Sequence, residues 1–519
     1  MSILNIVPRE YQQRIFETAR EDNTLVVLPT GLGKTLVALM LSVDRLKKFP
    51  TSKVVFLAPT KPLVEQHFEY YKNNLPELFA ELSLFTGTVP AEKRKKLWQT
   101  AEIIFSTPQC VANDLKKGLY NLEKSSLIII DEAHRCLKNY DYTSVISFYK
   151  KQALNPRILG LTASPGQDSS NVREICGHLD IQGIELRTRD SEDVKPYLKE
   201  REFSKIEVPF PSEFIELRIL LKRIWDSKID KLKSSGFLNA PANKISLLEL
   251  QKRLAIQASQ KNFAAMHGMS LTATAIKISH ALELLETQTL SGLDSYLKSL
   301  VQQANEQKSK AVQSLVKSPE FRAALLSLSS LLEKKMEHPK IDEIASITEE
   351  EMKGNSKAKI ILFTQFRETA SRISDRLKSV NGVKAAIFIG QTKKLGLGLS
   401  QKEQRAIIEK FKSGEINVLI ATSIGEEGLD IPEVNAVIFY EPIPSAIRKI
   451  QRAGRTARLA PGKLFILVTK DTRDEIHHYA SSAREKKMYK TVELIKKELE
   501  EKKKSPSLDK FQDTKDYKP

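Results

Sequence analysis

The stretch LVVLPTGLGKTLVALM, Leu25–Met40, sets an apolar run, a glycine-rich turn and an apolar helical pattern end to end. The run Thr24–Leu28 is short, unbroken and rich in branched side chains, as suits a strand buried on both faces. In the turn Pro29–Thr35, Gly31 and Gly33 let backbone N–H groups curl round phosphate oxygens, and the helix N-terminus behind them adds partial positive charge. Lys34 is then placed for the β- and γ-phosphates and Thr35 for Mg2+, with Pro29, Thr30 and Leu32 completing the loop. The strict phosphate-loop pattern has glycine at position 28, where this chain has Leu28. The bland alternative is a turn that holds nothing. A strand before it and a helix after it favour ATP with Mg2+ as the expected cofactors.

The next element is DEAH, Asp131–His134, 97 residues after Lys34 and directly behind the apolar run Leu127–Ile130. A carboxylate at a strand end projects into the crevice where open α/β sheets bind ligands. Asp131 is the candidate Mg2+ ligand and Glu132 the candidate for polarising the attacking water. His134 closes the motif as a further catalytic candidate. Farther on, QRAGRTAR, Gln451–Arg458, places Arg455 and Arg458 three apart on one helical face, with Gln451 leading the segment. Two guanidinium groups on one face suit a transferring phosphoryl group. Taken singly, Asp131 could be a helix cap and the arginines a solvated face.

Around these motifs, short apolar runs alternate with helical patterns over 1–190 and again over 356–480. That alternation predicts two parallel α/β domains. Strands are expected at Thr24–Leu28, Lys53–Ala58, Leu82–Thr86, Ile103–Ser106, Leu127–Ile130 and Arg157–Thr162. In the second domain they are expected at Lys359–Thr364, Lys384–Ile389, Val418–Thr422, Ala436–Tyr440 and Lys463–Thr469. The stretch 191–355 differs. No proline falls between Pro241 and Pro319, and Leu247, Leu250, Leu254 and Ile278, Leu282, Leu285 recur at helical spacing. An all-α insertion is predicted there. Residues 481–519 read as a charged tail, helical over Met488–Lys504 and disordered after it.

Over 519 residues, Lys+Arg is 82 and Asp+Glu 64, a net charge of +18. Such a surplus favours an anionic partner, nucleic acid before a membrane surface. With 41% apolar and 28% charged residues the chain is neither collagen-like nor wholly disordered. Cys110, Cys136 and Cys176 form no C-x-x-C pair, so neither a zinc ribbon nor a redox motif is read. The N-terminal MSILNIVPREYQQ has no apolar signal core, and no run is long enough to span a bilayer. A non-secreted, cytoplasmic protein without membrane partners is expected, nucleoid-associated if prokaryotic.

Strand-contact candidates follow the expected strands. They are Thr60 and Lys61 in APTKPLVEQH, Gly87 in FTG, Thr107 and Gln109 in STPQ, Arg367 in FTQFRET, Gly390 and Gln391 in FIGQ, and Thr422 in ATS. Hydroxyls, backbone N–H groups and a few cations are what phosphate contacts require, and they read no base sequence.

In order and type, these motifs resemble those of the superfamily 2 helicases over 1–190 and 356–490. PREYQQ, Pro8–Gln13, is similar to the adenine-sensing segment, which places Arg9 and Gln12 at the nucleotide. LTASPG, Leu161–Gly166, resembles the motif coupling hydrolysis to strand movement. ATSIGEEGLDIPEV, Ala421–Val434, resembles motif V, with Gly428 near the phosphates and Asp430 near the ribose. LPTGLGKT, the stretch Phe388–Gln404 and SSAREKKM, Ser481–Met488, are more specifically similar to the archaeal Hef helicases and their eukaryotic FANCM relatives. The resemblance implies two RecA-like motor domains that close on ATP and a thumb-like helical insertion. It also implies 3′→5′ translocation that remodels forks and Holliday junctions in repair. Hef-type chains usually carry a nuclease with an E-R-K signature; none occurs here, so nuclease activity is not expected.

The leading reading is thus an ATP-dependent DNA helicase or translocase acting on branched or forked DNA. A double-stranded-RNA-stimulated ATPase is the first alternative, since both backbones present similar phosphates. A junction-binding scaffold that recruits a nuclease is the second. A separate nuclease, a sliding clamp or a single-strand binding protein are candidate partners of the tail. The motor needs one chain, so a monomer is expected.

Overall fold

A computed structural model describes residues 6–504 except 139, 167, 199, 261, 391–397, 423–431, 444, 446–451 and 453–460. The chain builds two parallel sheets. The first contains β1 (Thr24–Val27), β2 (Lys53–Leu57), β3 (Leu82–Phe85), β4 (Ile103–Ser106), β5 (Ser125–Ile130), β6 (Ile158–Thr162) and β7 (Gly183–Leu186). Their order across the sheet is β3-β4-β2-β5-β6-β1-β7. The second contains β8 (Arg201–Val208), β9 (Ile360–Phe363), β10 (Ala385–Phe388), β11 (Val418–Ala421), β12 (Ala436–Phe439) and β13 (Gly462–Thr469), in the order β10-β11-β9-β12-β13-β8. The strand runs that are apolar throughout are the ones buried on both faces. Leu25 and Val27 pack into one core and Val26 and Leu28 into the other, as period-two alternation requires. Ile360 and Leu362 against Ile361 and Phe363 repeat this in the second sheet.

Six helices from Ile215–Ser234 to Pro319–Glu333 form the insertion among the described residues. Its core falls into a cluster near the sheet domains, with Phe214, Leu221, Ile278, Leu285, Leu297 and Phe321, and a distal one with Ile229, Leu247, Leu250 and Leu254. Asn243 starts the helix Lys244–Ser259 by accepting from Ile245 N–H (2.9 Å) and Ser246 N–H (3.0 Å), which satisfies two of its orphan donors. Gly268 allows close packing: a Cβ there would stand 3.0 Å from the Phe237 ring, tighter than an ordinary contact.

The structure redraws the boundaries expected at 191, 355 and 481. Strand β8 lies inside the stretch read as insertion but pairs with β13 from Arg201↔Gly462 to Val208↔Thr469. The helix Lys340–Gly354, also read as insertion, puts Ile341, Ile344 and Met352 into the second sheet's core. The tail helix begins at Arg473 and runs unbroken to Lys504. It leaves the second domain and docks on the first, where Val492 and Ile495 join the core and Ser164 Oγ donates to Met488 Sδ at 2.7 Å. No helix among the described residues is long and apolar enough to cross a membrane.

The insertion, the second sheet and the C-terminal helix meet at a buried polar joint. Lys340, fully buried, forms an ion pair with Asp474 and donates to the Thr287 carbonyl at 3.4 Å. The neighbouring His338 uses Nε2 toward the Glu286 carbonyl (3.3 Å) and accepts Lys340 N–H at Nδ1 (3.3 Å), the arrangement of a neutral ring. Burial, and then the Lys340 charge, hold its pKa down to about 3 from the ordinary 6.5. Glu441 accepts Gln365 N–H at 2.6 Å, and burial pushes its carboxyl up to about 7 from 4.5, against the opposing pull of Lys340.

These two groups act on stability with opposite signs. The unfolded chain protonates His338 below 6.5 while the folded chain resists down to about 3, so its contribution is lost on acidification. The folded chain keeps Glu441 protonated to about 7 while the unfolded chain ionises above 4.5, so its contribution is lost as pH rises. Each slope is about 1.4 kcal/mol per pH unit where it acts. Between about pH 5 and 6.5, His338→Gln should therefore make the thermal midpoint fall with rising pH, and Glu441→Gln should make it fall with falling pH. Unfolding scans across that range check this; identical slopes in both variants would refute it.

Candidate active site

Every strand pairing in the first sheet is parallel, so the loops after the strands share one edge. The phosphate loop follows β1, DEAH follows β5, and Thr162 ends β6, and these three strands are neighbours. In the loop, Gly31 and Gly33 have φ +85° and +80°, the left-handed region that glycine enters without Cβ strain. Gly33 caps the helix Lys34–Lys48. Lys34 Nζ donates to the Leu28 carbonyl at 2.8 Å, folded back across the loop. The Leu32 side chain is buried in the core, so its part in the loop is played by its backbone. Its carbonyl accepts from Tyr11 Oη (2.8 Å) and Gln12 Nε2 (3.1 Å). Gln12 Oε1 in turn accepts Arg9 N–H at 2.9 Å, and the Arg9 guanidinium lies 5.3 Å from the Tyr197 ring centroid. The segment expected at the adenine is therefore bonded directly to the phosphate loop.

Asp131 is 5% exposed. Burial alone would raise its pKa, but His67 and Lys34 outweigh that and hold it below the usual carboxylate range. The Asp131 backbone carbonyl accepts from Tyr142 Oη at 2.7 Å. Glu132 sits in the left-handed region at φ +52°, which costs a residue with a Cβ about 1–2 kcal/mol. His134 Nδ1 lies 3.2 Å from both Glu132 Oε2 and Thr162 Oγ1, and Thr162 Oγ1 accepts Ser164 N–H at 3.1 Å. DEAH is thereby linked to the LTASPG segment.

The residue that sequence reasoning missed is His67. Its Nε2 is 2.9 Å from Asp131 Oδ2 and its Nδ1 is 3.5 Å from Thr35 Oγ1. The segment APTKPLVEQH supplied strand-contact candidates, while its last residue sits between the two candidate metal ligands. The one available signal was a polar side chain on the inward stripe Val64, His67, Tyr71.

The residues present fit a magnesium nucleotide. Thr30 Oγ1, in the phosphate loop, is buried without a hydrogen-bond partner. One buried carboxylate, one hydroxyl and a lysine are the sparse set with which proteins hold Mg2+ on phosphates. Among the described residues no cluster of three or more His, Cys, Asp or Glu forms a dedicated metal cage. The candidates Gly428, Asp430, Gln451, Arg455 and Arg458 lie outside the described residues, as does Gln391.

The strand-contact candidates occupy the other half of the same edge. Thr60 follows β2, Gly87 follows β3, and Thr107 and Gln109 follow β4, three adjacent strands. Thr60 Oγ1 is buried with no partner, a Cβ on Gly87 would meet nothing within 4 Å, and Gln109 is exposed. Lys61 Nζ stands 3.7 Å from Glu65, which also pairs with Arg405 of the second domain at 2.6 Å. The second sheet repeats the pattern. Arg367, Gly390 and Thr422 follow the adjacent strands β9, β10 and β11, and Arg367 donates to the Gly390 carbonyl at 3.4 Å.

One substitution tests the close packing of Gln12 on the glycine loop. A Cβ at Gly33 would stand 2.2 Å from Gln12 Nε2 on a backbone at φ +80°. Gly33→Ala should weaken nucleotide binding about tenfold, because a loop that shifts to relieve the left-handed strain and the clash with Gln12 no longer presents its N–H groups to the phosphates. A nucleotide titration beside a thermal scan checks this, and unaltered affinity would show that the loop does not depend on this packing.

Comparison with known proteins agrees with this geometry. A DEAD/DEAH box helicase model matches residues 9–172, and a helicase conserved C-terminal domain model matches 340–460. Between them, a model described as the helical bundle of an ATP-dependent RNA helicase matches 213–338. The crystal structure of the Pyrococcus furiosus Hef helicase domain superposes with a TM-score of 0.71 at 41% identity, covering 91% of this chain and 98% of that one. A Methanocaldococcus jannaschii protein, named provisionally as an ATP-dependent RNA helicase, is 38% identical over 92% of this chain and 60% of its own. The Schizosaccharomyces pombe ATP-dependent DNA helicase fml1 is 32% identical over 94% and 60%. The Mus musculus Fanconi anemia group M protein homolog is 31% identical over 94% and 26%. The chain thus spans three-fifths or less of the length of these curated relatives. It belongs to the DEAD/DEAH-box helicases of the Hef type and carries the ATP-dependent helicase motor of that family.

Proposed function

We propose that this chain is an ATP-driven DNA translocase, moving 3′→5′, that remodels branched DNA such as stalled forks and Holliday junctions. The reading rests on one arrangement: each sheet has three neighbouring strands that end in strand-contact candidates, and in the first sheet a separate set of three ends in the phosphate loop, DEAH and Thr162. ATP supplies the phosphoryl group whose hydrolysis drives the motor. Lys34 and the loop N–H groups bind its phosphates, Thr35 and Asp131 hold Mg2+, and Glu132 orients water. Arg455 and Arg458 would complete the charge stabilisation from the second domain, so hydrolysis alters how tightly the halves close and shifts a bound strand. The Schizosaccharomyces pombe relative named as an ATP-dependent DNA helicase supports DNA as the substrate class. The relative and the helical-bundle model named for RNA helicases support a second reading, an ATPase stimulated by double-stranded RNA.

The distal end of the insertion is the candidate branch-sensing element. Ile245, Ile256, Phe263 and Met266 are exposed there, 65%, 66%, 83% and 48%, beside Lys252 and Arg253. Apolar side chains with flanking cations suit unstacked bases next to phosphates.

ATP hydrolysis at fixed low salt with no nucleic acid, linear duplex DNA, forked DNA and duplex RNA tests the proposal. Forked DNA should stimulate most, and equal or greater stimulation by duplex RNA would promote the second reading. Lys34→Ala should abolish turnover, while Glu132→Gln should bind nucleotide and lose most hydrolysis; normal turnover in the latter removes Glu132 from its role. DNA affinity should fall steeply with salt, because phosphate contacts release counterions. Phe263→Ala with Ile256→Ser should leave basal hydrolysis unchanged and lower the preference for forks over linear duplex. An unaltered preference would take the insertion tip out of branch recognition.

A further inference from the structure

The His67 ring is buried, 7% exposed, and packs 4.4 Å from the Phe56 ring, which fixes its plane. In that plane one ring nitrogen faces Asp131 Oδ2 at 2.9 Å and the other faces Thr35 Oγ1 at 3.5 Å. A carboxylate only accepts, so the ring nitrogen facing it carries the proton and Nε2–H donates to Asp131 Oδ2. Nδ1 stands against the Thr35 hydroxyl. The ring thus takes up one carboxylate oxygen and fixes the side of the hydroxyl that faces it. Asp131 Oδ1 and the Thr35 lone pairs remain for a cation.

We propose that His67 is a positioning residue that orients the two protein oxygens expected to hold the nucleotide's Mg2+. The inference rests on the site being one for a magnesium nucleotide, and adds a residue that acts on the metal only through its ligands. Groups that orient metal ligands in this way typically change metal affinity by about 10–100-fold when removed. His67 is suited to this by its setting. It lies on the helix Lys61–Asn74, whose own inward residues Val64 and Tyr71 are fully buried, so the ring is carried on a rigid element.

The test is binding of a fluorescent ADP analogue to the full chain, titrated with Mg2+ and repeated in excess chelator. His67→Ala should raise the Mg2+ needed for half-maximal binding about tenfold or more, with metal-free affinity unchanged. His67→Gln, whose side-chain amide can donate to Asp131, should recover most of the loss. A structural role alone would shift the thermal midpoint and both affinities together. His67→Leu keeps the buried volume and gives the same reading if the alanine cavity unfolds the chain. An unchanged Mg2+ requirement in His67→Ala or His67→Leu, alongside a raised one in Asp131→Asn, overturns the positioning role. Failure of the wild-type chain to bind the analogue with Mg2+ overturns the nucleotide-site reading itself, and the inference with it.

Discussion

Parallel strands deliver all their following loops to the same edge of a sheet, and the strand order decides which loops become neighbours. Here the order β3-β4-β2-β5-β6-β1-β7 divides that edge into halves. The loops after β3, β4 and β2 carry hydroxyls and amides suited to a phosphate backbone. Those after β5, β6 and β1 carry the phosphate loop and its carboxylates. The border falls between β2 and β5, whose backbones are hydrogen-bonded from Val54↔Leu127 to Leu57↔Ile130. The helix that follows β2 begins at the strand-contact half and leans His67 across the border to Asp131. Two chemistries separated by dozens of residues in sequence are thus joined by one strand pairing.

A second constraint governs how the parts move. The insertion is bracketed in sequence by β8 and the helix Lys340–Gly354, and both belong to the second domain. At its base the Lys340–Asp474 pair is nearly sealed from water. Removing one partner of such a pair leaves an uncompensated charge and typically costs about 3–5 kcal/mol. The pair therefore ties the helix Lys340–Gly354 to the C-terminal helix, and the bond from Lys340 to the Thr287 carbonyl brings an insertion helix to the same point. The first domain is reached differently, by the long C-terminal helix that inserts Val492 and Ile495 into its core, and by exposed pairs such as Arg173–Glu498 that contribute little.

Much of this was legible in the sequence, for a physical reason. Strands in the middle of a parallel sheet are buried on both faces, so β9 is apolar throughout and β1, β2 and β5 each carry an unbroken apolar run after a leading Thr24, Lys53 or Ser125–Ser126. The two strands that went unread, β7 and β8, both lie at sheet edges. An edge tolerates charge, and β8 reads REFSKIEV, half of it ionisable. The misplaced insertion boundary is the same error, because an unrecognised edge strand was absorbed into its neighbour. The phosphate loop and DEAH were legible because each packs its polar residues into a few consecutive positions directly after an apolar strand run. His67 was not, since it pairs with a residue 64 positions away and nothing local marks the pairing.

The lone placement of β8 also has a bearing on synthesis. Among the described residues its one sheet partner is β13, and the register couples Arg201 to Gly462. During translation at about 5–20 residues per second, the strand emerges on the order of ten to fifty seconds before that partner exists. Throughout the interval it is an unpaired template beside a nascent helical bundle. Charged residues such as Glu202, Lys205 and Glu207 suit the role of gatekeepers, keeping a sticky edge in solution until the last strand of the sheet arrives to close it.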